Sequence, residues 1–183
     1  MSVYGATKVS NEVMAQSYFD RYVMPVSGLR FFKVYGPWGR PDTVFFKFAD
    51  RIYHDLPVDL YNHGEVSHSF TYIDDVVGGV LAALYRNPES AANTRHPIFN
   101  LGNPESKPLI DCLAVIQRCM GKQAQTRLLP LPPGDRSYSR ANIDRAREQL
   151  GYQPLTSVQF GIERFMAWYL DEYVPMMHNS RAD

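Results

Sequence analysis

Apolar positions recur at helical spacing over residues 5–22, with Val9, Val13, Phe19 and Tyr22 among them. They predict an amphipathic helix, punctuated by Pro25 and Gly28. The apolar run 26–34 predicts a strand buried on both faces, the pattern of a parallel sheet. Residues 45–54 read as a helix, and 58–61 and 68–73 as short strands around an Asn62-His63-Gly64 turn. Asp74 is placed to cap a helix running to about Arg86, with Asn87-Pro88 as its stop. A strand follows at 98–101, then a helix from about Pro108 that ends with Gly121 in the C′ position. Residues 127–129 are extended and enter the Pro-rich loop 130–134. A short helix at 143–150 is closed by Gly151, a last helix spans 158–173, and the polar tail after Pro175 is expected to be loose. Strands alternating with helices make this an α/β chain.

Composition narrows the function classes. The 183 residues suffice for one domain with a sizeable core, and 45% hydrophobic with 13% aromatic content argues for a packed globule. Nineteen basic residues balance nineteen acidic ones, so there is no electrostatic footprint for nucleic acid or for an anionic membrane. The apolar runs are too short to span a bilayer, and no signal peptide precedes the first motif. Cys112 and Cys119 lie seven apart on a helix, about 10 Å of rise, too far for a disulfide. A reduced, cytoplasmic compartment is the economical reading. The five histidines show no metal-ligand spacing, and no C-x-x-C occurs, so no metal is expected.

The first chemistry is Tyr4-Gly5-Ala6-Thr7-Lys8. Residues four apart share a helix face, so the Tyr4 hydroxyl and the Lys8 ammonium converge. An ammonium beside a phenol favours the phenolate, which suits a general base near neutral pH. Alone this pair is weak, because a chain with 12 tyrosines can hold one by chance on a solvated helix. Three further strings change the odds: Gly28-Leu29-Arg30-Phe31-Phe32-Lys33-Val34-Tyr35-Gly36-Pro37-Trp38-Gly39-Arg40-Pro41-Asp42, then Phe70-Thr71-Tyr72-Ile73-Asp74-Asp75-Val76, then Pro133-Gly134-Asp135. Together with Ser2-Val3-Tyr4, and in this order, they closely resemble UDP-glucuronate 4-epimerases of the extended short-chain dehydrogenase/reductase family. The resemblance covers nearly the whole chain.

The resemblance implies a C-terminal remnant of a Rossmann-type α/β fold. Residues 1–42 would end the nucleotide-binding domain, 43–175 would form mainly the sugar-nucleotide (substrate) domain with returning segments, and 176–183 a flexible tail. It implies Tyr4 as catalytic base and Lys8 as its partner, both also touching NAD. In the family the base takes the C4 hydroxyl proton of a UDP-sugar while hydride moves to the nicotinamide, then returns on the other face. Lys33 is implied in cofactor and substrate binding; Arg40, His68 and Arg136 are implied in substrate binding. The Gly-x-x-Gly-x-x-Gly turn that seats a dinucleotide is missing from these residues. Gly78-Gly79 does not follow a strand directly and reads as close helix packing instead. The Ser or Thr partner of the tyrosine is missing too, and Met1 reads equally as an internal methionine.

Other residues keep two readings. Arg40 suits a phosphate or is an exposed loop arginine, and Trp38 and Phe46 line a cleft or simply pack. Asp74 and Asp75 resemble a carboxylate pair, but adjacent helical residues diverge, which favours a cap. Three positions depart from the family pattern: Lys33 replaces a threonine near the sugar carboxylate, His68-Ser69 replace Arg-Asp, and Asn142 replaces an aspartate beside Arg136 and Arg140. Three expectations follow. The chain is an incomplete epimerase, inactive alone and holding no NAD tightly; or it is a non-catalytic sugar-nucleotide- or protein-binding module; or it is one half of an enzyme completed in trans. Helix 4–22 and the 26–34 strand edge are expected to be open without a nucleotide-binding half, and so to be covered by self-association into a two-fold dimer.

Overall fold

The computed structural model describes residues 3–86 and 96–179. Helix α1 (Val3–Tyr22) leads into strands β1 (Gly28–Phe31) and β2 (Val34–Tyr35). Helix α2 (Val44–Tyr53), strand β3 (Val58–Tyr61) and a 3-10 turn at Asn62–Gly64 follow. The short strands β4 (Ser67–His68) and β5 (Thr71–Tyr72) then hand over to helix α3 (Ile73–Leu84). Next come β6 (Ile98–Leu101), β7 (Lys107–Pro108), α4 (Leu109–Met120), β8 (Thr126–Leu129) and β9 (Tyr138–Ser139). The chain closes with α5 (Asp144–Leu150), α6 (Val158–Trp168), a π-helical turn at Tyr169–Tyr173 and α7 (Val174–Asn179).

Pairing is mostly parallel, as an α/β chain requires when helices cross between strands. β1 runs parallel to β6, in register Gly28 with Ile98 through Phe31 with Leu101. β2 pairs with β5, and β3 with β8, also in parallel. In the three-stranded sheet β4 is central, antiparallel to β7 and parallel to β9.

Two apolar clusters result. The larger gathers α2, α4 and α6 around Phe45, Phe70, Tyr72, Ile116, Ile162 and Phe165. The smaller joins Phe99 and Leu101 of β6 to Ala141, Ile143, Ala146 and Tyr152, with Leu29 and Phe32 packed against it. Gly79 of α3 faces this second cluster: a Cβ there would come within 2.8 Å of Leu101. The packing reading therefore holds for Gly79, whereas Gly78 has nothing within 4 Å. Cys112 is buried and free; burial pushes its thiol up to about 12, an inert state rather than a reactive one. Cys119 is free as well.

Several expectations need correction. No described residue of α1 is buried, and its apolar side chains are spread around the axis rather than gathered into a stripe. Val9, Val13 and Tyr22 are all exposed. The 26–34 strand breaks into β1 and β2 at Lys33, whose φ of 37° lies in the left-handed region. β1 is not buried on both faces, since among the described residues β6 is its one partner and Arg30 and Phe31 face solvent. Asp74 is not the cap of α3: Tyr72 holds that position, and the Asp74 carboxylate reaches Arg164 at 2.9 Å. The Asn87-Pro88 stop lies outside the described residues.

The last helix also runs further than expected, through residue 179. Pro175 cannot donate to the carbonyl four residues back, and the π turn before it loosens that bonding pattern so the helix passes through. Where sequence and structure agree, the signals are local. Gly121 (φ 66°) ends α4, Gly151 (φ 64°) ends α5, and the Ser157 hydroxyl accepts from the Phe160 amide to start α6.

Candidate functional site

A cavity of about 750 Å³ opens among α2, β2, β3, β4 and the loop before β9. Phe45, Phe46 and Phe70 supply apolar lining, while Lys33, His68 and Arg136 bring polar groups from three distant segments. Apolar walls with a few convergent charged groups are the usual make-up of a small-molecule site.

Its charges are unevenly engaged. The lining carboxylates are Asp42, Asp50, Asp59 and Asp135. Arg40 forks onto Asp42, and Arg127 onto Asp59 at 2.7 and 2.9 Å. These contacts hold both carboxyls below the usual carboxylate range. Asp50 faces His54 at 3.4 Å. Of the lining cations, Arg51 donates to the Pro57 carbonyl. Lys33, Lys47 and Arg136 make no ion pair with any described residue. Asp135 has no cation against it, and Asp50 has only His54, which is a cation only when protonated. The lining thus carries more free positive than free negative charge, which favours an anion.

His68 is 8% exposed, and its Nδ1 lies 2.8 Å from the Ser139 hydroxyl. Burial lowers its pKa, with the Lys33 charge adding to this and Asp135 opposing it. Ser69 beside it, fully buried, is structural: its hydroxyl donates to the Asn103 carbonyl and accepts from the Ala141 amide. The Thr71 hydroxyl likewise joins the Phe32 carbonyl to the Asn103 amide. These two hydroxyls tie the ends of β4 and β5 to the chain at Phe32, Asn103 and Ala141.

The remaining candidates stand outside the cavity. On α1, Lys8 Nζ sits 5.2 Å from the Tyr4 ring centroid, so the two do share a helix face. Tyr4 is 72% exposed and neither residue lines the cavity. Arg40 is held by Asp42, which does line it. Phe46 packs in the core and lines the cavity as well, while Trp38 is exposed with its ring 5.3 Å from that of Trp168. Asp75 accepts the Leu155 and Thr156 amides at 3.2 and 3.1 Å, so with Asp74 on Arg164 the two aspartates act as separate structural anchors. Asn142 accepts from the Asp144 amide at 3.0 Å, an Asx turn opening α5, and Arg140 donates to the Pro104 carbonyl. Sequence reasoning missed Lys47 and Asp135 as lining groups. Asp135 lies in the Pro133-Gly134-Asp135 string that carries the resemblance but has no site role there, and Lys47, adjacent to Phe46 on α2 and so pointing away from it along the helix, carries no sequence signal. Among the described residues no cluster could hold a metal ion, and no helix is long and apolar enough to cross a membrane.

Known proteins with the same pattern give this geometry a context. The chain is 38% identical to Protein CapI of Staphylococcus aureus, over 94% of its own length and 55% of that protein's. It is 40% identical to UDP-glucuronate 4-epimerase 4 of Arabidopsis thaliana, over 94% of its length and 42% of that protein's. The crystal structure of the Bacillus cereus UDP-glucuronic acid 4-epimerase, in complex with UDP-glucuronic acid and NAD, superposes with a TM-score of 0.81 at 30% identity. The match covers 92% of this chain and 52% of that one. The chain therefore spans about half the length of the relatives it matches. Residues 1–102 match the profile of the NAD dependent epimerase/dehydratase family. The shared α/β fold, the sequence likeness and that profile lead to one conclusion: this chain belongs to the NAD dependent epimerase/dehydratase family.

Proposed function

We propose that this chain is the sugar-nucleotide-binding portion of a UDP-glucuronate 4-epimerase-like enzyme. The observation that carries the reading is the cavity's unpaired cations, Lys33, Lys47 and Arg136, set among aromatic walls. A nucleotide diphosphate offers the matching negative charge, and its base and sugar the matching flat and polar surfaces. Lys33, His68 and Arg136 are the proposed substrate contacts, with Arg40 at the rim through Asp42. Tyr4 is the proposed base for a sugar hydroxyl, and Lys8 is the cation beside it. Residues 1–42 belong, in this reading, to the nucleotide-binding side and 43–175 mainly to the substrate side.

The residues present do not fit a complete NAD site. They contain no glycine-rich dinucleotide turn, and Tyr4 and Lys8 lie on a helix with no buried residue. We therefore derive no step through the cofactor and expect the 183-residue chain by itself to hold NAD weakly and not to epimerise. A second reading, a non-catalytic sugar-nucleotide module, is favoured by one observation: the cavity forms without Tyr4 and Lys8. The open α1 and β1 surface is assigned to an interface with a second copy or a nucleotide-binding half. A monomer in light scattering across a wide concentration range would remove the dimer version.

Calorimetric titration tests the function. UDP-glucuronate should bind the wild-type chain and lose about 1–3 kcal/mol with Lys33→Ala or Arg136→Ala, as for a charge-assisted bond. NAD should bind no tighter than high micromolar. Absence of UDP-glucuronate binding, or its indifference to both variants, would sink the assignment; micromolar NAD binding would sink the incomplete-site claim.

A further inference from the structure

We propose that His68 is a proton-coupled contact of the cavity: it meets the diphosphate of a nucleotide sugar as an imidazolium, so that binding takes up one proton and tightens as pH falls. This rests on the reading of the cavity as a sugar-nucleotide site and adds how that site responds to pH.

The geometry leaves one ring nitrogen for a ligand. Nδ1 is engaged by the Ser139 hydroxyl at 2.8 Å, which fixes the ring plane. No described hydrogen bond uses Nε2, and the residue lines the cavity beside Lys33 and Arg136. A neutral imidazole can donate or accept there; only the protonated ring donates from both nitrogens and adds charge.

The surroundings set the sign. β4 lies between β7 and β9, with His68 opposite Lys107 and Ser139. Lys107 pairs with Glu105 at 3.0 Å, which offsets its charge. Lys33 and Arg136 line the cavity with no ion-pair partner among the described residues. Of its four carboxylates Asp135 is the one that acts on His68, while Asp42 and Asp59 are held by Arg40 and Arg127 and Asp50 faces His54. In the free protein, burial and Lys33 hold the ring in its neutral form at neutral pH. A diphosphate entering the same space reverses the local potential by bringing negative charge against Nε2, Lys33 and Arg136. The bound state therefore prefers the proton that the free state rejects, and by linkage protonation and binding favour each other. A sugar-linked diphosphate does not itself titrate between about pH 5.5 and about pH 8, the range in which histidine does, so the pH response belongs to the protein.

The test is titration of UDP-glucuronate into the wild-type chain, His68→Gln and His68→Arg from about pH 8 to about pH 5.5, in paired buffers of different ionisation enthalpy. Wild type should tighten by up to about tenfold per pH unit and show buffer-dependent heat corresponding to proton uptake. His68→Gln should bind weakly with no such slope, and His68→Arg should bind tightly at every pH. Circular dichroism checks that the variants fold, and wild-type proton uptake is informative even if they do not. A wild-type titration without proton uptake, or an equal slope in His68→Gln, overturns the inference while leaving the sugar-nucleotide reading intact. Failure of all three proteins to bind at any pH overturns the cavity assignment and this inference with it.

Discussion

Helices α1 and α6 are held by different physics. α6 places six of its eleven residues in the interior: Val158, Gly161, Ile162, Phe165, Met166 and Trp168. α1 has 20 residues and buries none. What ties α1 to the strand after it is a two-bond ion pair, both Arg30–Glu12 contacts at 2.7 Å, with Arg30 half exposed. Several of its polar side chains turn back on its own backbone, such as Ser10 on the Ala6 carbonyl and Ser17 on the Val13 carbonyl. Most helical stability in proteins comes from packing and a surface ion pair adds little, so α1 is held less firmly than α6. The proposed substrate cavity belongs to the packed region, and the proposed base belongs to the bare helix.

The sharpest break of that contrast comes from truncating one apolar side chain in each helix. Phe165→Ala should cost about 3–5 kcal/mol by cavity formation, enough to remove much of the stability of an ordinary domain. Val13→Ala should stay within about 0.5 kcal/mol. Urea unfolding of both variants decides, and similar losses would show that α1 is packed after all.

A smaller effect sets two glycines against each other. A Cβ on Gly161 would fall 2.2 Å from the Tyr35 hydroxyl, whose oxygen is held by the Val158 carbonyl at 3.2 Å. The ring is also locked edge-on against Phe45 and Tyr72, so it cannot swing aside. Gly161→Ala should cost about 1–3 kcal/mol. Gly78, exposed on α3 with open space around it, should gain up to about 1 kcal/mol as alanine. Opposite signs in thermal unfolding are expected; a loss at both would mean that α3 has a partner on its outer face.

The smallest global effect belongs to the link between the regions. Glu12→Ala should change overall stability by less than about 1 kcal/mol. The bond to Arg30 holds the Glu12 carboxyl below its ordinary value. A depressed carboxylate contributes above its unfolded value, about 4.3, and that contribution is lost as pH falls through the folded value. Protection of the α1 amides, measured against the intrinsic exchange rate at each pH, should therefore fall in Glu12→Ala at neutral pH and in the wild type below about pH 4, with little change in α6. Unaltered α1 exchange in the variant would mean that the ion pair does not hold the helix.

Part of the cavity's lining was legible in the sequence. Lys33, His68 and Arg136 were marked by their departures from, or place in, a known pattern, and they do line one cavity. The Tyr4–Lys8 pairing followed from helical spacing alone. Asp74 and Asp75 were read as a cap because the nearest amides are local; instead, α6 and the loop before it supply Arg164 and the Leu155 and Thr156 amides. Arg40, open between a phosphate contact and an exposed loop arginine, forks onto Asp42.

The division has a physical basis. Backbone hydrogen bonds, glycine stops and apolar spacing act over a few residues, so α4 ending at Gly121 and strand 98–101 are written into the sequence itself. Whether a charge is paired and whether an apolar side chain is covered depend on segments far apart in the chain. Lys33, His68 and Arg136 come to line one cavity because β2 pairs with β5 and β4 with β9, pairings between segments far apart in the chain. The sequence determined the helices, the strands and the kinds of groups available. Tertiary packing decided which cations remained free and left α1 bare, because burial and charge pairing follow distances that the order of residues does not contain.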